Sequence, residues 1–152
     1  MLWLVEITDK GFSGTDLSDI LNVLEAFGPG LSWTILELEA EAKPDWSGNM
    51  SKLREQIARS PSCLKLNWSE LVCLAGDLEQ VIDGVFVGVR KGEPTPTLPL
   101  DRGLYESSEI VIHAFDTTLW EVCARDKTII EAIQNAFRGT RLLEGPRPES
   151  SS

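Results

Sequence analysis

The sequence predicts a single α+β domain in which a mostly antiparallel sheet of five or six strands carries helices packed on one face. Three observations lead to this prediction. Several short segments alternate apolar and polar residues, which is the pattern of half-buried strands. Segments with apolar residues at helical spacing lie between them. A chain of 152 residues with 42% hydrophobic residues fits one domain and can form its own core.

The chain opens on a predicted strand and a predicted helix. Residues 2–7 are apolar and β-prone, and turn residues follow them. Apolar residues at helical spacing then extend from Leu17 to Phe27. Thr15 or Asp16 is the predicted N-cap of this helix, and a Gly-Pro-Gly sequence ends it.

The second predicted strand has an acidic outer face. Within residues 32–41, three apolar residues alternate with three glutamates. The apolar set is Leu36, Leu38 and Ala40, and the acidic set is Glu37, Glu39 and Glu41. Successive side chains of a strand point to opposite sides, so the apolar set is expected to face the core and the glutamates to face water. One face of the sheet is therefore predicted to stay wet.

The middle of the chain predicts two further helices with a short strand between them. Apolar residues at helical spacing predict a helix over 50–57, with Asn49 or Ser51 as its N-cap. Residues 64–66 alternate as a short strand does. A second helix then begins near Trp68, and Ser69 is its expected N-cap.

The segment 78–89 leaves two alternatives open. It is rich in Val, Ile and Phe and contains Asp83-Gly84, a dipeptide typical of tight hairpin turns. The flanking arms are short, so a single strand with a bulge at Gly84 fits equally well. Residues 91–103 contain three prolines and no periodicity, which predicts a long loop.

The last third of the chain has the clearest pattern. Residues 110–115 and 119–123 predict a β-hairpin, and Asp126 is the predicted N-cap of the helix that follows it. We expect the domain to span residues 1–143, and residues 144–152 to form a disordered tail.

Composition excludes several functional classes. The formal net charge of −10 repels phosphate backbones, so nucleic-acid binding is not expected, whereas a basic protein is attracted. No signal peptide and no apolar run long enough to span a membrane is visible. Cys63, Cys73 and Cys123 contain no CxxC pair. Reduced thiols in a cytoplasmic protein, without a metal or other cofactor, are the expected state.

Enzymatic chemistry is not predicted. The chain has one histidine, His113, and no nucleophile or phosphate-binding motif accompanies it. We expect His113 to be a structural strand residue. The alternative is a ligand-binding or catalytic pocket framed by His113, Glu121 and the Pro94–Pro99 loop.

The acidic residues of the N-terminal third are the predicted partner-binding surface. Residues 1–45 contain nine acids and two bases, and three of the glutamates must project to one side of a strand. Trp46 lies in a polar loop, where it is either folded back onto the core or exposed as an anchor for a partner. The candidate residues are Asp9, Asp16, Asp19, Glu37, Glu39, Glu41, Asp45 and Trp46.

Part of the chain resembles uncharacterised families of small bacterial proteins, some of which are similar to immunity proteins of polymorphic toxin systems. The resemblance is carried by residues 109–122 (EIVIHAFDTTLWEV), by Asp126 with the helix around Ile129, and by the stretches 68–71 (WSEL) and 80–84 (QVIDG). It implies a cytoplasmic binder that neutralises a toxin by occlusion, and no catalytic residue is carried over. The protein is expected to be a monomer, or a homodimer that associates through its C-terminal hairpin.

Overall fold

The computed structural model confirms the α+β prediction. It describes residues 2–8, 15–59, 64–116 and 119–144, which form one seven-stranded sheet with five helices. All strand pairs in this part of the chain are antiparallel. The sheet thus has one or two strands more than the sequence predicts.

Strands and helices alternate along the chain except at β5 and β6, which follow each other as a hairpin. The strands are β1 (Trp3–Ile7), β2 (Leu31–Ala42), β3 (Leu64–Leu66), β4 (Leu78–Arg90), β5 (Ile110–Phe115), β6 (Leu119–Ala124) and β7 (Thr140–Glu144). The helices are α1 (Leu17–Val23), α2 (Met50–Ala58), α3 (Trp68–Asp77), α4 (Arg102–Ser107) and α5 (Lys127–Ala136).

The order of the strands in the sheet is β3-β2-β4-β5-β6-β1-β7. Strands β1 and β2, which are consecutive along the chain, are therefore separated by three others. The β5–β6 hairpin lies at the centre, where β5 pairs with β4 and β6 pairs with β1. Because both of its edges are already paired within the chain, this hairpin offers no free edge to a second copy.

Side-chain caps begin the helices. Asp16 caps α1 in a reciprocal capping box with Asp19, so of the two predicted N-caps, Thr15 and Asp16, the second is the cap. The prediction of Ser69 as the cap of α3 is wrong. The Asn67 side-chain oxygen accepts from the backbone N–H of Glu70 at 2.8 Å, and the Glu70 carboxylate accepts from the backbone N–H of Asn67 at 2.9 Å. A capping box needs its acidic residue three positions after the cap, and only Asn67 satisfies that spacing.

Strands β2 and β4 form the longest pairing of the sheet. Residues 78–90 are a single strand, so the hairpin alternative at Asp83-Gly84 is excluded. The predicted bulge at Gly84 is also misplaced: Gly84 pairs with Leu38, and the irregularities of β4 lie between Val81 and Asp83 and between Leu78 and Gln80. A further irregularity lies in β2 between Ile35 and Glu37. It places Leu36 in a different apolar cluster from Leu38 and Ala40, contrary to the prediction that these three residues share a face.

The sheet is packed on both faces. The main core collects the apolar residues of α1, α2, α3 and α5, which lie together on one face as predicted. Trp33 and Trp120 are fully buried in this core, and their indole N–H groups donate to backbone carbonyls at 3.0 Å. A smaller second core lies on the other face, where α4 contributes Leu104 and Tyr105. The expectation that this face carries no helix and stays wet is therefore wrong for the half that α4 covers, because apolar residues of β4, β5 and β6 also point to that side.

Two elements were not predicted, a short helix after the Pro-containing segment and a strand at the edge of the sheet. The Pro-containing segment ends in α4, and β7 adds an edge strand beside β1. Glu144 belongs to β7, so the first residue of the predicted tail is part of a strand. The predicted tail, apart from Glu144, lies outside the described residues. None of the helices in the described part of the chain combines the length and apolar character that crossing a bilayer requires.

Candidate functional site

The second face of the sheet is divided into a covered half and an exposed half. Leu100, Leu104 and Tyr105, from the segment after β4, pack on apolar side chains of β1, β4, β5 and β6. Toward the other end of the same face the side chains become charged and mostly exposed. This exposed half is the candidate functional site.

Strand register aligns a row of side chains across six strands. Residues directly opposite each other in antiparallel strands point to the same side of the sheet. Because Val85 belongs to the second core, the whole row projects from the second face. In order across the sheet the row consists of Glu37, Val85, His113, Glu121, Glu6 and Arg141.

Neighbouring positions extend this row into a surface that we call the acidic face. Glu39 and Glu41 alternate with the core residues Leu38 and Ala40, so they project on the same side as Glu37. Asp83 lies opposite Glu39, and Phe115 lies two residues after His113. The acidic face consists of Glu6, Glu37, Glu39, Glu41, Asp83, His113, Phe115 and Glu121.

Few of these carboxylates are neutralised. Within the described residues, Glu39 pairs with Arg54 at 3.1 Å and Glu6 pairs with Arg141 at 3.4 Å. The other four carboxylates of the acidic face have no ion pair in that part of the chain. The surface therefore keeps an excess of negative charge that a cationic partner can neutralise.

Two glutamates lie directly opposite each other in this row. Burial and the neighbouring charge of Glu6 raise the pKa of Glu121. Tyr105 lies at the boundary of the covered half, where burial and the charge of Glu121 raise the pKa of its phenol to about 12. Like charges opposite each other weaken a sheet, so the folded chain holds this pair at a cost in stability.

His113 lies at the centre of the row. Its Nδ1 is buried and has no hydrogen-bond partner among the described residues. Burial lowers the pKa of the imidazole, and the charge of Asp83 opposes that shift only partly. The His113 and Phe115 rings are in contact, with centroids 4.1 Å apart. Phe115 is 42% exposed, which makes it an apolar side chain displayed among carboxylates.

The predicted acidic residues do not all meet in one patch. Glu37, Glu39 and Glu41 lie together on the acidic face, as predicted from their alternation. Asp16 and Asp19 instead form the capping box of α1, which packs in the main core on the other face. Burial, with the charge of Asp19, raises the pKa of Asp16, while a backbone hydrogen bond and Lys43 act in the opposite direction.

The remaining predicted partner-binding residues lie in loops. Asp9 lies outside the described residues. Asp45 is exposed beyond the end of β2, and Trp46 is half-buried. A Cβ added to Gly48 would lie 2.2 Å from the Trp46 ring, so this indole is folded against its own loop. Phe115, rather than Trp46, is the exposed aromatic beside the clustered carboxylates.

The alternative pocket is only partly assembled. His113 and Glu121 are cross-strand neighbours, so the structure does bring these two residues together. The Pro94–Pro99 segment forms a separate cavity of about 420 Å³ with Val89 and Leu104. Neither His113 nor Glu121 lines that cavity.

Metal and thiol chemistry find no geometric support in the described part of the chain. No group of three His, Cys, Asp or Glu side chains there is arranged to hold a metal ion. Cys123 is buried, and burial raises the pKa of its thiol to about 12, which keeps it protonated. Cys73 is exposed on α3, and Cys63 lies outside the described residues.

Sequence analysis missed Glu6, Asp83 and Phe115. Glu6 and Phe115 alternate with core residues of their strands, so their direction was readable, but their neighbours depend on strand order. Asp83 follows a register irregularity of β4, so alternation does not give its direction. Comparison of the chain with models of protein families, with curated protein sequences and with solved structures finds no match.

Proposed function

We propose that this protein is a binding module for a basic protein and that the acidic face is its docking surface. One observation carries the proposal: strand register gathers exposed and half-buried carboxylates from β2, β4 and β6 around an exposed phenylalanine, with Glu6 of β1 buried beside them. Charges clustered in this way steer an oppositely charged partner, and a central aromatic surrounded by polar groups is typical of a binding hot spot.

An inhibitor of a basic toxin or effector fits this surface best. Such a protein acts by occlusion, so it needs a complementary surface and no catalytic group. The resemblance of the β5–β6 region to immunity proteins supports the same role, in the cytoplasm of the cell that makes the toxin. The net charge of −10 supports a partner of high isoelectric point.

The proposal is tested with two variants of equal charge. In the first, Glu37, Glu41 and Glu121 of the acidic face are replaced by glutamine. In the second, the same replacement is made at exposed residues elsewhere, namely Glu55, Glu93 and Glu131. The probe is a fluorescent deca-arginine peptide, whose dissociation constant is measured by anisotropy at low salt and at about 0.5 M salt.

We expect the acidic-face variant to bind the peptide roughly tenfold more weakly than the wild type, because three charges that contact the peptide are lost. The control variant should bind nearly as well as the wild type. Equal losses in the two variants would show that the peptide senses only net charge, and the acidic face would then not be the docking surface. A partner captured from the native host should be lost with the first variant only.

A second candidate function is small-ligand binding beside His113. It is favoured by the position of His113 directly opposite Glu121 on the adjacent strand. The pKa of His113 is lowered and the pKa of Glu121 is raised, and shifted pKa values are common at functional sites. A thermal-shift screen of metabolites with the wild type and the His113→Ala variant tests it. A compound that stabilises only the wild type would support this candidate, and the absence of any such compound would remove it.

A further inference from the structure

His113 and Phe115 form a contact that depends on the protonation of the imidazole. In the neutral ring one nitrogen carries a proton and the other is an acceptor. Nδ1 is buried and has no partner among the described residues, and the Phe115 ring lies 4.1 Å from the imidazole centroid. The observed arrangement therefore suits a neutral histidine that packs as a largely apolar side chain.

A second proton would make this arrangement unstable. The imidazolium carries an N–H on both nitrogens, and a buried, charged N–H without an acceptor is costly. Two carboxylates near His113 can accept a hydrogen bond from the imidazolium. Glu121 lies directly opposite on β6, and Asp83 lies on β4, where its charge acts on His113. To donate through Nδ1 to either, the imidazole has to rotate, and any rotation changes its contact with the Phe115 ring.

We propose that His113 is a pH-sensitive switch that holds Phe115 in place while neutral and displaces it when protonated. The inference rests on the proposed function in so far as Phe115 is the anchor for a basic partner. Protonation then acts twice, because it moves the anchor and adds a positive charge to a surface that binds cations. We infer that the complex is formed near neutral pH and weakened in mildly acidic conditions.

The groups around His113 favour this direction of change. Its charged and titratable neighbours come from the other five strands of the row, from α2 and from α4. The carboxylates are Asp83 of β4, Glu121 of β6, Glu37 of β2 and Glu6 of β1. The other groups are Arg141, which pairs with Glu6, Arg54, which pairs with Glu39, and Tyr105, whose phenol lies near Glu121. Most of these neighbours are carboxylates, so a protonated His113 finds acceptors as soon as its ring leaves the buried position.

Aromatic ¹H–¹³C NMR of the whole protein tests the motion without a partner. Between pH of about 7.5 and about 5, the Phe115 ring signals should shift in one transition that has the same midpoint as His113. Over the same interval the nuclear Overhauser effects between the two rings should weaken, which a change of charge without displacement would not cause. That midpoint should lie below the ordinary histidine pKa of 6.5. Phe86, which is fully buried in the main core, is the internal control and should not shift.

Two variants separate the switch from a general effect of acid. His113→Gln should abolish the Phe115 transition. Asp83→Asn keeps the oxygen that accepts from the Asp116 amide but removes the charge that favours a protonated His113, so the midpoint should move to lower pH. A Phe115 transition that persists in His113→Gln, or a His113 titration that leaves Phe115 unmoved, would overturn the inference.

Deca-arginine binding separates this inference from the proposed function. The wild type should bind the peptide about tenfold more weakly at the acidic end of the range, and His113→Gln should lose most of that dependence. Equal pH dependence in the two proteins would refute the switch alone. A Phe115 transition in a protein that binds no peptide at either pH would refute the proposed function and leave the coupling of His113 to Phe115 established.

Discussion

The segment that covers half of the second face should be held mainly by Leu104. This side chain is only 6% exposed and packs on apolar residues of the sheet in the second core. Full burial of a leucine is worth about 1.5–3 kcal/mol, and truncation to alanine adds the cost of the cavity left behind. Because α4 lies at the surface and can relax, we expect Leu104→Ala to lower the free energy of unfolding by about 2–3 kcal/mol.

Leu98 is a matched control within the same segment. It is 43% exposed, so Leu98→Ala should cost less than about 1 kcal/mol. Urea denaturation measures both losses, and amide hydrogen exchange shows whether α4 opens separately from the sheet. Equal effects of the two substitutions, or undiminished protection of the α4 amides in Leu104→Ala, would refute the conclusion that Leu104 anchors this cover.

Three other substitutions test particular contacts by urea denaturation. Asn67→Ala should cost about 1 kcal/mol because it removes the cap of α3, whereas Ser69→Ala should be nearly neutral. Glu121→Gln should stabilise the protein by about 0.5 kcal/mol at neutral pH, since it relieves the repulsion by Glu6. Gly84→Ala should cost about 1–3 kcal/mol, because the new Cβ would lie 2.7 Å from the Phe86 ring.

The Glu121→Gln prediction also has a defined pH dependence. A carboxyl whose pKa is raised in the folded state destabilises that state when ionised, and the penalty is relieved as pH falls through the raised pKa toward the ordinary value of 4.5. The gain from Glu121→Gln should therefore shrink over that interval. A gain in stability that is constant with pH would contradict the raised pKa of Glu121.

An Asn67→Ala or Gly84→Ala variant with unchanged stability would likewise contradict the contacts assigned to those residues.

Local signals predicted most of the elements. Alternation identified β2 and the β5–β6 hairpin, and capping residues at Asp16 and Asp126 marked helix starts that the structure confirms. Elements without a local signal were missed. Strand β7 has two adjacent leucines instead of alternation and is held by pairing with β1, while α4 has only six residues and depends on its anchor Leu104.

The site was less predictable than the fold because it depends on strand order. The sequence shows that Glu37, Glu39 and Glu41 share a side, and that holds in the structure. It cannot show that β1 lies beside β6, which is what places Glu6 opposite Glu121. The acidic residues of the N-terminal third also do not form one patch, since Asp16 and Asp19 cap a helix on the other face of the sheet.

The acidic face combines three features that folding alone does not favour. Glu6 and Glu121 repel each other across adjacent strands, the buried Nδ1 of His113 has no partner in the described residues, and Phe115 exposes apolar surface to water. Each has a cost in free energy, and a hydrophobic or oppositely charged side chain would remove it. A cationic partner would offset the first cost by screening the carboxylates and the third by covering the phenylalanine ring. Two of the three unfavourable features are therefore ones that the proposed cationic partner would relieve.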